Sequence, residues 1–411
     1  MKTFDIPAHY RSTIITPLKE YRRKRDKLKR DFIPTVLDFG PVKFLIARHF
    51  GFCYGVENAI EIAYKAIAEN PGKRIFLLSE MIHNPDVNAD LLSRGVRFLH
   101  DTLGRKLIPF SELTPADVII IPAFGTTLET QRELLSIGLD VATYDTTCPF
   151  VEKVWNKASQ IGQKTYTIIV HGKPSHEETR ATFSHSKEAG PTVVVRDMEQ
   201  AQRLARYITG EGSADEFYDE FAGQYSAGFN PARDLQRIGV VNQTTMLASD
   251  TQGIADFLKH VMIQQYNLIE GTPSVEDHFA NTRDTLCYAT NDNQDATYAL
   301  LNYPADFAIV AGGYNSSNTQ HIVELCAEKL PTYFIESAGK ILSDKLIRHY
   351  DLHAKEEIVT EAYLPTNRPT TIMLTCGASC PDAVVEGILT KIVSYFPDAK
   401  GIEEVMEGFR G

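Results

Sequence analysis

Three cysteines stand in turns marked by glycine, threonine or proline: Cys53 in Gly-Phe-Cys-Tyr-Gly, Cys148 in Thr-Thr-Cys-Pro and Cys287 in Asp-Thr-Leu-Cys-Tyr-Ala-Thr. They lie 95 and 139 residues apart, so a fold rather than a local loop must assemble them into one site. Each comes just before a helix-like run, and a helix N-terminus favours thiolate over thiol. Thiolates ligate iron–sulfur clusters, and three of them would hold such a cluster with one iron left open to substrate. Spacing alone keeps three alternatives open: such a cluster, a zinc ion completed by a histidine, and buried, inert thiols. Of the other cysteines, Cys326 lies in the apolar helix pattern Ile322-Val-Glu-Leu-Cys and reads as core. Cys376 and Cys380 flank Gly-Ala-Ser, where ligand-pair, core and turn readings all stand.

Other polar clusters follow strand-like runs. His83-Asn84-Pro85 marks a boundary before a new helix, because the residue before proline avoids the helical region. His171-Gly-Lys-Pro-Ser-His176-Glu-Glu178-Thr179 places two imidazoles, an ammonium and two carboxylates on one loop. There a histidine can hold an anion while a carboxylate two residues away donates a proton. A solvated polar loop is the competing reading. Gln243-Thr244-Thr245, Asn315-Ser316-Ser317-Asn318 and Gly377-Ala378-Ser379 offer short hydroxyl and amide donors. Each can cap a helix or cradle phosphate. No glycine-rich P-loop or dinucleotide fingerprint competes with them.

These residues need strands and helices to position them. Apolar runs at Val42–Arg48, Ile75–Leu78, Asp117–Ile121, Lys164–Val170, Ile238–Val241, Phe307–Ala311 and Thr371–Thr375 alternate with helix-like stretches. That rhythm predicts α/β units with largely buried parallel strands, and such folds place ligands where strand ends meet helix starts. Residues 200–235 interrupt it, with a helix predicted around Ala201–Ile208 and a less regular link after it. Residues 1–41 read as an appendage. Lys19–Arg30 carries eight Lys or Arg against two acids, which predicts a short charged helix or a solvated arm. The 411 residues suffice for two or three domains, and the formal net charge of -11 argues against a bulk nucleic-acid binder. There is no run of 18 apolar residues and no apolar signal core near the start, so a soluble intracellular protein is expected, with no stable membrane insertion. Six scattered cysteines do not make a disulfide scaffold.

Taken in order, eight segments resemble the 4-hydroxy-3-methylbut-2-enyl diphosphate reductases, LytB-type iron–sulfur enzymes of the non-mevalonate isoprenoid route. They are Gly51-Phe-Cys-Tyr-Gly-Val-Glu-Asn-Ala, His83-Asn-Pro, Asp145-Thr-Thr-Cys-Pro, His176-Glu-Glu-Thr, Gln243-Thr-Thr, Cys287-Tyr-Ala-Thr, Asn315-Ser-Ser-Asn and Gly377-Ala-Ser. The resemblance implies three similar α/β lobes around a central cavity. One [4Fe-4S] cluster per chain would be held by Cys53, Cys148 and Cys287. His83, His176, Thr244, Ser316, Ser317, Asn318 and Ser379 would meet the diphosphate, and Glu178 with Thr244 would handle protons. The implied reaction is reductive dehydroxylation of (E)-4-hydroxy-3-methylbut-2-enyl diphosphate to isopentenyl and dimethylallyl diphosphate, using two single electrons and protons. Ferredoxin or flavodoxin would be the donor. The expected location is the cytoplasm, or the plastid stroma in a plant or alga. The implied boundaries are an extension over 1–41 and lobes over 42–147, 148–284 and 285–411. Residues 42–53 are allowed to pack with the third lobe, and the second lobe carries the insertion near 200–235. A zinc enzyme on the same scaffold, an iron–sulfur electron carrier or sensor, and a structural α/β protein remain the competing classes.

One departure stands out. Many relatives carry histidine in an Ala-His-Gly turn where this chain has Ala123-Phe124-Gly125. This resembles a longer branch of plant and cyanobacterial enzymes, which the N-terminal arm and the 200–235 insertion also suit. Phe124 cannot bind an anion, so the phosphate shell must differ at that point; for Lys173 two readings stand, a source of charge or a solvent-facing side chain.

Overall fold

The computed structural model describes residues 4–280, 287–365 and 368–409. The residues Asp284-Thr285-Leu286 of the third cysteine turn lie outside that range; Cys287 lies within it. The chain forms two compact units. One comprises Met1–Glu57, Ile82–Asp90 and Tyr288–Gly411, and the other Asn58–Met81 and Leu91–Cys287.

The first unit is built on a five-stranded sheet. Its order is Thr35–Asp38, Val42–Ile46, Thr370–Cys376, Phe307–Ala311 and Thr332–Ile335. All pairs are parallel except the first, which is antiparallel. Val42–Ile46 runs beside Thr370–Cys376 with Phe44 opposite Ile372, although 328 residues separate them (372 - 44). The sheet's central strands are buried along almost their whole length, as parallel strands covered on both faces must be. An antiparallel hairpin of Leu346–Asp351 and Glu356–Glu361 stands apart from this sheet.

The second unit holds two three-stranded parallel sheets. One pairs Ile75–Leu77 with Val96–Phe98 and Val118–Ile120. The other pairs Thr167–His171 with Thr192–Val195 and Ile238–Asn242. The apolar runs read from sequence are therefore strands, each leading into a polar turn and a helix. The strands at Thr35–Asp38, Val96–Phe98, Thr192–Val195 and Thr332–Ile335 are short and were not anticipated.

Two expectations need correction. The N-terminal segment is not a solvated arm. It forms the helix Ile15–Arg25, and Ile14, Ile15 and Leu18 are buried in the core of the first unit. Thr13 donates from N and Oγ1 to Glu386 at 2.7 and 2.8 Å, Thr16 donates to Asp382 at 2.9 Å, and Lys19 pairs with Asp382. Three apolar residues suffice to dock this helix, and its many charges mask them. The stretch after the helix Met198–Ile208 is also more regular than expected. It contains the helices Ala214–Glu220 and Pro231–Asp234. The first is closed by a capping box between Ser213 and Glu216, which satisfies two backbone N–H groups reciprocally. Phe217 stacks on Phe221 and Phe229 at centroid distances of 5.1 and 5.2 Å, and these rings join the second unit's core beside Ile169, Val193 and Leu204.

Candidate iron–sulfur and diphosphate site

The structure sorts the six cysteines into two classes. Cys53 directly precedes the helix Tyr54–Glu69, and its carbonyl accepts from Glu57 N–H at 3.0 Å. Cys148 is the N-cap of Pro149–Gln163, with its carbonyl accepting from Glu152 N–H at 3.1 Å. Cys287 directly precedes Tyr288–Leu300. Each thiol thus sits at the positive end of a helix dipole, which favours thiolate. Cys53 and Cys148 are half-buried and Cys287 is buried. Cys326 lies inside the helix Ser317–Ala327, and burial pushes its thiol up to about 12. Cys380 is raised as well, first by a hydrogen bond with Cys376 and then by burial. These are core thiols rather than ready ligands. No disulfide joins any of the six.

Among the described residues, no three or more His, Cys, Asp or Glu side chains are grouped to hold a metal ion. Cys53 belongs to the first unit and Cys148 and Cys287 to the second. The donor chemistry nevertheless fits a cluster: three soft ligands, each at a helix N-terminus. Two carboxyls follow Cys53 and Cys148 in the first turn of their helices. Burial pushes Glu57 up, against the pull of Lys19. Burial, with Asp145 adding to it, pushes Glu152 up.

The first unit brings five of the expected diphosphate residues together. Ser379 Oγ donates to the His83 carbonyl at 3.1 Å. Asn318 Oδ1 accepts from Ala378 N–H at 2.9 Å, and the Ala378 carbonyl accepts from Cys53 N–H at 3.3 Å. Ser316 caps the helix Ser317–Ala327, its Oγ accepting from Thr319 N–H. The backbones are close enough to demand glycine. A Cβ at Gly313 would lie 2.4 Å from the His83 carbonyl oxygen, and one at Gly377 would lie 2.0 Å from Thr319 Oγ1. His83, Ser316, Ser317, Asn318 and Ser379 are all buried. Asn318 Nδ2 is buried without a hydrogen-bond partner, an uncommon state that calls for a ligand or water. Thr319, fully buried and touching both loops, was not singled out from sequence, although it directly follows Asn315-Ser-Ser-Asn.

The second unit brings together the residues expected to handle protons. Glu178 is 1% exposed. One of its carboxylate oxygens accepts from Thr244 N–H, and Oε2 accepts from Thr244 Oγ1 at 2.9 Å. His176 caps the helix Glu177–Lys187, with Nδ1 accepting from Glu178 N–H at 3.2 Å. Gln243 underpins the loop: its Oε1 accepts from Lys173 N–H at 3.1 Å and from Thr179 Oγ1 at 3.0 Å. Phe124 lies edge-to-face against His176, centroids 5.6 Å apart at 87°. Thr244 and Ser379 therefore serve as partners of other site residues, not as helix caps.

The family described as LytB protein matches this chain over residues 44–393. The chain belongs to the LytB family. Two cyanobacterial members are both named 4-hydroxy-3-methylbut-2-enyl diphosphate reductase. The Synechococcus sp. protein is 39% identical over 398 residues, covering 95% of this chain and 93% of its own. The Thermosynechococcus vestitus protein is 42% identical over 354 residues, covering 86% and 85%. The LytB match begins at residue 44, past the arm, whereas the Synechococcus alignment must take in part of it. The solved structure of the E-1-hydroxy-2-methyl-but-2-enyl-4-diphosphate reductase from Plasmodium falciparum aligns with a TM-score of 0.59 at 20% identity, covering 87% of this chain and 89% of that one. At that identity the likeness speaks for the α/β fold.

Proposed function

We propose that this LytB-family chain reduces (E)-4-hydroxy-3-methylbut-2-enyl diphosphate to isopentenyl diphosphate and dimethylallyl diphosphate. The substrate's C–O bond breaks, the hydroxyl leaves as water and a C–H bond forms, which two electrons and two protons balance. The observation that carries this reading is near end-to-end similarity to reductases of that name. Three lobes around a central cavity, with Cys53, Cys148 and Cys287 converging on one [4Fe-4S] cluster, complete the proposal. The placement of each thiol at a helix N-terminus supports it.

When bound, the cluster supplies the electrons and a Lewis-acidic iron for the substrate hydroxyl. The remaining work falls to side chains. His83, Ser316, Ser317, Asn318 and Ser379 bind the diphosphate, together with His176 and Thr244. The unsatisfied Asn318 Nδ2 is a donor that an anionic oxygen completes. Glu178 delivers the proton that turns hydroxide into water, a far better leaving group. Thr244 holds that carboxyl at two points, and its hydroxyl relays the proton. Ferredoxin or flavodoxin delivers the electrons singly. No helix among the described residues is long and apolar enough to cross a membrane; the proposed setting is cytoplasm or plastid stroma.

The test is anaerobic turnover of the reconstituted protein with a one-electron reductant. Release of both isoprenoid diphosphates is expected. Substrate binding without turnover would favour a carrier or sensor.

A further inference from the structure

We propose that Phe124 is a positioning residue for His176, holding the imidazole so that its Nε2–H faces the substrate diphosphate. This rests on the diphosphate reading given above. In a neutral imidazole one nitrogen accepts and the other carries the proton. Nδ1 accepts the Glu178 N–H at 3.2 Å, which places the proton on Nε2. That bond fixes the tautomer, and the Phe124 ring, packed edge-to-face with the imidazole at 5.6 Å between centroids, limits how the imidazole can tilt.

Phe124 is itself held from beneath. Gly125 adopts a φ of +74°, and a Cβ on it would lie 2.4 Å from the Trp155 ring. Trp155 donates from Nε1 to Thr182 Oγ1 at 3.1 Å and stacks on His185 at 3.7 Å and 10°. His185 Nε2 lies 3.2 Å from the Thr126 carbonyl, so this stack is bonded back to the Phe124 turn. On the other side, the Ala123 carbonyl accepts from Cys148 N–H at 3.0 Å. One rigid turn therefore links a cluster-ligand segment to the diphosphate histidine.

The experiment measures binding of inorganic pyrophosphate by calorimetry to anaerobically reconstituted native protein, Phe124→Leu, Phe124→Tyr, His176→Ala and the Phe124→Leu/His176→Ala double variant. Phe124 is half-buried, so leucine is tolerated there. Phe124→Leu is expected to weaken binding about two- to tenfold, the range of one aromatic contact. Phe124→Tyr restores it, and KM for substrate follows the same order. In the double variant the Phe124 effect vanishes, because its target is gone. Additive losses, or native binding by Phe124→Leu beside weakened His176→Ala, would overturn the positioning role alone. Native binding by His176→Ala would refute the diphosphate reading of that histidine and the positioning role with it.

Discussion

Replacing Glu178 by glutamine separates proton delivery from architecture. The carboxylate is 1% exposed and takes two hydrogen bonds from one residue, Thr244 N–H and Thr244 Oγ1–H. Glutamine keeps the length of the side chain and an oxygen for the backbone N–H. Its amide can donate to the Thr244 hydroxyl, which then turns to accept. Both contacts survive as neutral hydrogen bonds, weaker than charge-assisted ones by about 1 kcal/mol. The fold should therefore stand. The acid is lost, however, and a positioned general acid contributes roughly 10²–10⁴ in rate. That range corresponds to about 3–5.5 kcal/mol of barrier. Anaerobic steady-state kinetics with a small one-electron reductant should show kcat lowered by that factor, with KM and iron content near native. Thr244→Val, which removes one of the two restraints, should lose less. Turnover of Glu178→Gln within about twofold of native would refute Glu178 as the proton donor.

Other outcomes follow from the same geometry. Leu18→Ala should destabilise the protein by about 2–5 kcal/mol despite lying in a charge-rich helix, because its side chain is buried in the first unit's core; thermal unfolding measures it. His49 is depressed from 6.5 to about 4, first by burial and then by Arg48. The unfolded chain therefore binds a proton that the folded one refuses, so stability falls as pH drops from about 6.5 towards 4. His49→Gln should flatten that limb in denaturant titrations across pH. Cys53→Ser, Cys148→Ser and Cys287→Ser should each lower bound iron and sulfide, while Cys326→Ser should leave them intact, since Cys326 is a core thiol held protonated by burial.

Much of the site was legible because its residues occupy turns between a strand end and a helix start. Glycine, proline and short polar side chains are visible there in sequence. Ser316 caps a helix as its setting foretold, His176 caps one although it was read only as an anion-holding loop residue, and the cysteines at positions 53, 148 and 287 all precede helices. Which serines and threonines cap and which brace another side chain was not legible. Thr244 turned to Glu178 and Ser379 to His83, through contacts 66 and 296 residues apart along the chain. The docked arm was hidden for a different reason. A helix needs only a narrow apolar stripe to bind a core, and Ile14, Ile15 and Leu18 provide it just ahead of the eight basic residues of Lys19–Arg30. The aromatic cluster of Phe217, Phe221 and Phe229 was missed because polar and glycine residues between them break any simple period. The edge strands escaped because runs of three or four residues carry too little alternation to read.

The proposed function stands on three separated thiolates holding one cluster with an iron open to substrate. Iron and acid-labile sulfide content of anaerobically purified protein, read with its Mössbauer spectrum, tests it most directly. About four irons and four sulfides per chain, one iron distinct from the rest and altered by added substrate, is the predicted result. Protein that takes up no iron after careful anaerobic reconstitution would contradict it.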